Sequence, residues 1–186
     1  MKKTALLTLA ALSFLSAAGP AFAASWTVDP NKSTLSFSGV QSGRAFDGHF
    51  TKWQADIDFD PANPAAGHAL VTIDMGSAVT GDPQKDQSLP QSDWFNIHSF
   101  PKATFEAISF RAKGNGAYDA IGTLTIRGIK KDVVLPFTFD GVGKVGHAKG
   151  KLDLIRTDFG VGQGDWADGS MVGLTVSVGI DIEAAR

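Results

Sequence analysis

The chain is 186 residues long and carries 17 Lys and Arg against 19 Asp and Glu, a formal net charge of −2 at pH 7. That balance excludes a nucleic-acid binder, which needs a dense basic surface. The absence of cysteine excludes disulfides, a thiolate metal site, covalent c-type haem and a cysteine nucleophile.

The first residues read as an address, not as fold. Lys2 and Lys3 precede an uncharged apolar run from Thr4 to Ala18, followed by Gly19, Pro20 and the small-residue pattern Ala21-Phe22-Ala23. This predicts a secretory signal over residues 1–23, cut after Ala23, and a single mature domain over residues 24–186. The apolar run is too short for a good permanent span, and no later segment is apolar enough to cross a bilayer. With no cysteine at the cut, a lipoprotein anchor is excluded. The expectation is a soluble periplasmic chain. Without Lys2 and Lys3 it carries 15 basic residues against 19 acidic ones.

From there the chain alternates with period two in almost every segment. Leu35 and Phe37 share a face; so do Trp53, Ala55, Ile57 and Phe59, and then Ala69, Val71, Ile73 and Met75. Gly76 to Pro101 fits no strand and reads as a short helix plus loop. Alternation resumes at Ala103, Phe105 and Ala107, then at Tyr118, Ala120, Gly122, Leu124 and Ile126, and again at Val133, Leu135, Phe137 and Phe139. Pro136, on the outer parity of that segment, predicts a weakened ladder. Leu152 and Leu154 follow, and a closing run sets Val172, Leu174, Val176, Val178, Ile180 and Ile182 against polar or small neighbours. Asp-Pro-Asn, Gly-Asn-Gly and Gly-Val-Gly turns punctuate the runs. About eight antiparallel strands with no helix long enough to cover them favour closure, giving an all-β, eight-stranded antiparallel lipocalin-like barrel with a short helix/loop lid. The inward set mixes Phe and Trp with Ala and Gly, which leaves room for one small ligand.

Catalytic machinery is not visible. His49, His68, His98 and His147 stand apart without a second ligand at metal spacing, so no metal site is expected. The Asp residues at 56, 58, 153 and 181 lie on polar parity, and the nucleophile elbow of hydrolases is missing. The glycines between Gly39 and Gly48 lead into a strand, not a helix, and so make no phosphate loop. The chain reads as a non-enzyme requiring no cofactor.

Arg156 is the anomaly. In "KLDLIRTDFG" it falls on the leucine face, with Asp158 two residues on at the same parity. A charge there costs several kcal/mol unless paired and hydrogen-bonded. The preferred reading is an internal Arg156 held by Asp158 or by carbonyls of "VGQGDWADG", with a structural role. The rival reading has the guanidinium at the rim, meeting a phosphate or carbonyl oxygen.

In order and spacing, "WTVDPNKSTLSFSGV", "FDGHFTKWQADIDFDP", "SLPQSDWFNIHSFPKATFEA", "GTLTIRGIKKDVVLPF" and "RTDFG" resemble the YceI-like family of exported lipocalin-like barrels. The resemblance spans nearly the whole mature chain. It implies an elongated apolar cavity for an isoprenoid chain, a polyprenyl phosphate or a ubiquinone-like quinone, and keeps a membrane b-type cytochrome in view as a partner. A carrier is therefore expected; the alternatives are an accessory to quinone-linked electron transfer and a filled barrel serving protein interaction. Cavity lining is expected from Phe37, Trp53, Phe59, Trp94, Phe95, Phe105, Leu124, Phe137, Phe139, Leu152 and Val176. Rim or head-group contacts are expected from Gln41, Arg44, His98, Arg156 and Asp158. One departure stands out: Gln41 occupies the place of a histidine that many relatives carry in the first hairpin, in a loop about one residue shorter.

Overall fold

The computed structural model describes residues 25–186; the expected signal over residues 1–23 lies outside the described residues. Eleven strand segments follow in chain order: β1 (Ser25–Val28), β2 (Thr34–Gln41), β3 (Arg44–Phe50), β4 (Trp53–Asp58), β5 (His68–Asp74), β6 (Ala78–Val79), β7 (Lys102–Gly114), β8 (Ala117–Ile126), β9 (Ile129–Val142), β10 (Val145–Ile155) and β11 (Thr175–Ala185). The short helix α1 (Pro83–Ser88) lies between β6 and β7.

Eleven segments make eight barrel legs, because the first three legs are each broken once. β1 pairs β4 through Trp26 and Ile57, while β2 pairs β3 through Leu35 and Phe50. The second break falls at Thr51–Lys52, and the third is a 3-10 turn over Met75–Ser77, after which β6 pairs β3. β5, β7, β8, β9, β10 and β11 then follow as an antiparallel meander. β11 closes the barrel along one edge, meeting β2 over Ser177–Asp181 and β1 at Ala184 and Ala185. Every strand pairing in the barrel is antiparallel, as the alternation predicts.

Two-residue turns join β2 to β3 and β8 to β9. Both central residues take positive φ, Ser42 and Gly43 in the first (48° and 76°) and Arg127 and Gly128 in the second (50° and 73°). That sense of turn matches the twist of paired strands.

The interior departs from strict parity at one informative place. Between Ala107 and Ser109 the β7–β8 register shifts by a bulge. The extra residue throws Ile108 outward, 69% exposed, and turns Phe110 into the core. Phe110 therefore joins Trp26, Phe59, Ala69, Ala107, Ala120 and Ala184 at one end of the barrel. Phe59 is the hub of that cluster. Its ring lies 5.0 Å from Phe110, 5.1 Å from Tyr118 and Phe139, and 5.9 Å from Phe137, each edge to face. The Trp26 indole N–H donates to the Phe59 carbonyl at 2.8 Å, so this polar group is satisfied within the floor.

The closing strand is shorter than the alternation implies. β11 starts at Thr175; Leu174 is exposed, and Val172 makes only an isolated bridge to Gln41. The Val172 and Gly173 carbonyls accept from Arg156 instead of a neighbouring strand.

Truncating Phe59 to alanine removes the hub from a floor that cannot collapse around it. The expected loss is about 3–5 kcal/mol, read as a lower urea midpoint in equilibrium unfolding.

A lidded apolar cavity and its buried arginine

Above the aromatic floor the barrel encloses a cavity of about 250 Å³. All eleven lining residues expected from the sequence border it: Phe37, Trp53, Phe59, Trp94, Phe95, Phe105, Leu124, Phe137, Phe139, Leu152 and Val176. Trp26, Phe50, Phe110, Leu135, Phe159 and Val161 border it as well. Of these, Leu135 was legible in the alternation, whereas Phe110 needs the bulge and Phe159 and Val161 need the turn after β10. Among the described residues a single charged one borders the cavity, Arg156.

Arg156 opens a 3-10 turn, Arg156–Phe159, directly after β10, and is 4% exposed. Its Nε donates to the Gly173 carbonyl at 3.0 Å. Nη1 donates to Val161 at 2.8 Å and Gly162 at 3.2 Å, and Nη2 to Val172 at 2.7 Å and to Trp166. A guanidinium has five N–H donors, and five carbonyls take them. The face of Trp94 lies 5.5 Å away, adding a cation–π contact. Burial pushes the guanidinium's pKa down, and the charge of Asp168 opposes that shift. Gly162 is needed here. Its φ is +79°, and a Cβ at this position would stand 1.9 Å from Nη1.

The structural reading of Arg156 holds in part and is corrected in part. Carbonyls of the "VGQGDWADG" loop bind it, but Asp158 does not. Parity stops with the strand, and the 3-10 turn swings Asp158 outward, where its carboxylate lies 3.8 Å from the Lys131 ammonium. With no donor left over, Arg156 has none to offer a head group.

The other expected rim residues do not line the cavity. Gln41 and Arg44 face each other at the tip of the β2–β3 hairpin, and His98 is exposed on the lid. The lid is the segment from Thr80 to Pro101. Asp82 caps α1 by accepting from the Gln84 and Lys85 amides, and Asp86 accepts from the Thr80 amide and hydroxyl, both at 2.7 Å. Leu89, Phe95 and Ile97 then pack onto Leu35, Phe37, Phe50, Ile73, Met75 and Ala103. Trp94 and Phe95 both turn to the cavity while Asp93 stays exposed.

The lid is bolted at Asp93. The Gly162 and Gln163 amides donate to its carbonyl at 2.7 and 2.9 Å. Arg127, held in the left-handed turn, donates to the Ser92 carbonyl at 2.7 Å and to that of Trp94. Trp94 also lies 5.6 Å from Trp166, ring to ring. Among the described residues, no group of three or more His, Asp or Glu side chains could hold a metal ion.

Arg156→Leu leaves five carbonyls without their donor, those of Val161, Gly162 and Val172 in buried hydrogen bonds, and the expected cost is about 3 kcal/mol or more. Gly162→Ala should destabilise in the same direction, and Arg156→Lys, with three donors, should fall between wild type and Arg156→Leu. Denaturant midpoints for the three variants check the order.

Residues 26–184 match the YceI-like domain. A UPF0312 protein of Pseudomonas aeruginosa is 32% identical over 171 residues, covering 87% of this chain and 88% of that protein. A UPF0312 protein of Pseudomonas syringae is 30% identical over 147 residues, 77% of each chain. Among solved structures, BcnA of Burkholderia cenocepacia superposes with a TM-score of 0.83 at 34% identity, covering 86% of this chain and all of that one. A polyisoprenoid binding domain from Saccharophagus degradans, at 14% identity, shares the fold, with a TM-score of 0.67 over 87% of this chain and 98% of that one. In sequence and in architecture alike, the chain belongs to the YceI-like family.

Proposed function

We propose that the protein binds an isoprenoid lipid by its tail and carries or sequesters it, a polyprenyl phosphate or an isoprenoid quinone being the chemical class. One observation carries this reading. The cavity is apolar throughout except for Arg156, and every donor of Arg156 is committed to a backbone carbonyl. Such a cavity has affinity for hydrocarbon and no polar group to orient a reacting centre. Each buried CH₂ of a tail contributes about 0.8 kcal/mol, so a long chain is held without a polar anchor. Binding, and not turnover, is the proposed activity.

Two further supports come from outside the cavity. The Saccharophagus degradans domain that shares the fold is described as polyisoprenoid binding. The Lys2-Lys3 start, the apolar run and the Ala21-Phe22-Ala23 pattern support a periplasmic setting for the carrier. A barrel filled by its own side chains is at odds with a cavity of about 250 Å³. No described feature favours a cytochrome partner, and the reading stands without one.

Organic extraction of protein purified from its native host, followed by mass spectrometry, tests the reading. A prenyl compound in stoichiometric amount is the expected result, and repeated recovery of protein free of any prenyl lipid sinks it. Ala55→Phe places a ring in the middle of the cavity, where Ala55 is only half-buried. It should retain the far-UV circular dichroism of the barrel while losing most of the extractable lipid.

A further inference from the structure

The boundaries of the cavity differ in how they are closed. β3 lacks a second ladder partner from Arg44 to Gly48, but α1 reaches that edge, with the Lys85 ammonium 5.9 Å from the Phe46 ring. The floor is closed by Trp26, Phe59, Phe110 and Phe139 in edge-to-face contact. The lid is bolted to the loop after β10 through the Asp93 carbonyl, and to the β8–β9 turn through Arg127. The wall between β9 and β10 is different.

The β9–β10 ladder runs from Val142 and Val145 to Phe137 and Gly150 and stops there. Beyond that point β9 stays with β8, from Pro136 opposite Asp119 to Ile129 opposite Ile126. β10 stays with β11, from Lys151 opposite Gly179 to Ile155 opposite Thr175. Neither strand has a ladder partner across the seam. Pro136 sits where the pairing ends, and it has no amide hydrogen to donate. The strands are still in contact there, since a Cβ on Gly150 would lie 2.7 Å from the Pro136 carbonyl oxygen. Beyond it no ladder joins them, and Val133 of β9 and Leu154 of β10 both pack on the Leu124, Phe159 and Val161 cluster.

Toward the cavity both banks are apolar, while toward solvent they are mixed, with Lys151 and Asp153 beside Ile155 and Asp132 beside Val134. Leu135 on one side and Leu152 and Leu154 on the other border the cavity. Val134 and Ile155 are 43% and 42% exposed on the outside of the same strands. The ion pair that spans the seam, Lys131 with Asp158 at 3.8 Å, joins two half-exposed side chains, and such pairs hold weakly.

We infer that the β9–β10 seam is a lateral portal through which an isoprenoid tail enters and leaves the cavity sideways, while the lid stays shut. The inference rests on the tail-binding reading above and adds the route. Two unpaired strand edges can separate without breaking a ladder, by sliding Val133 or Leu154 off Phe159 and Val161, whereas lifting the lid breaks the Asp93 and Arg127 hydrogen bonds together. Leucines along both banks give a sliding tail continuous apolar contact from Val134 and Ile155 inward.

The chain has no cysteine, so thiol pairs can be placed and bridged selectively. Val134→Cys with Asp153→Cys puts thiols on opposite banks, at positions that would face each other if the Phe137–Gly150 register ran on. Asp93→Cys with Gln163→Cys ties down the lid, and Thr123→Cys with Asp132→Cys bridges the complete β8–β9 ladder as a control. Each pair is closed with a short bismaleimide. Loading of a short-tailed ubiquinone into the lipid-free protein is then followed by quenching of tryptophan fluorescence. The seam-bridged protein should load about tenfold more slowly than the control, as expected when a gate sets the rate, and the lid-bridged protein should match the control. A bulky maleimide on Asp153→Cys alone should slow loading in the same way, and the same label on Thr123→Cys should not. Seam-blocked protein loading at the control rate, or slowing by the lid bridge alone, overturns the portal. Absence of quenching in the control overturns tail binding instead.

Discussion

Five carbonyls converging on one guanidinium is the constraint around which the upper barrel is organised. The chain after β10 turns back sharply, and its carbonyls at Val161, Gly162, Trp166, Val172 and Gly173 converge on one point, three of them in buried hydrogen bonds. Buried carbonyls without donors would each cost roughly 1–3 kcal/mol, and no strand is placed to supply donors. Arg156 supplies all of them from a single side chain. A lysine could not, because three donors on one nitrogen do not span the fork. The same loop then presents the Gly162 and Gln163 amides to Asp93. The lid is therefore positioned at second hand by Arg156, through a loop that exists in this shape only because the guanidinium is at its centre.

The barrel divides its apolar residues between two tasks. At the floor, rings meet edge to face at 5.0–5.9 Å and leave no space. Along the cavity wall Ala55 and Ala103 stand among larger side chains, whereas Gly146 lies against Trp26 and Phe139 at the floor. Small residues opposite rings make a channel, whereas ring against ring makes a plug. Among the described lining residues only Arg156 carries a polar side chain, so the channel offers shape and length and not polar contacts to whatever enters it.

Much of this was legible in the residues, and the failures share one cause. Period two reads correctly wherever a ladder is regular, which is why Phe37, Trp53, Phe105, Leu124, Phe137, Leu152 and Val176 could be named from the alternation; Trp94 and Phe95 came from the lid segment instead. It fails where the chain leaves the ladder. Phe110 sits on the wrong parity until a bulge adds a residue. Asp158 sits on the right parity and still points outward, because the 3-10 turn begins at Arg156. Leu174 looks like a core residue but falls just before β11 begins. Pro136 is the opposite case: a residue without an amide hydrogen marked the ladder's end directly. The five-carbonyl cradle had no local signature beyond the glycines at 160, 162, 164 and 169, which allow positive φ.

Closure of the barrel also dictates the order in which the chain can fold. The strand that seals it, β11, pairs with β1 and β2, so residues near 25–41 must meet residues near 177–185. Hairpins such as β7–β8 and β8–β9 close over two-residue turns and can form early. The seal requires contacts between the two ends of the domain, and non-local pairing of that kind slows folding. Until β11 is in place, the edges of β1 and β2 that face it are unpaired and the cavity has no inside. The barrel's commitment step is thus its last strand, and a nascent chain lacking it is an open sheet with leucines and phenylalanines exposed along one face.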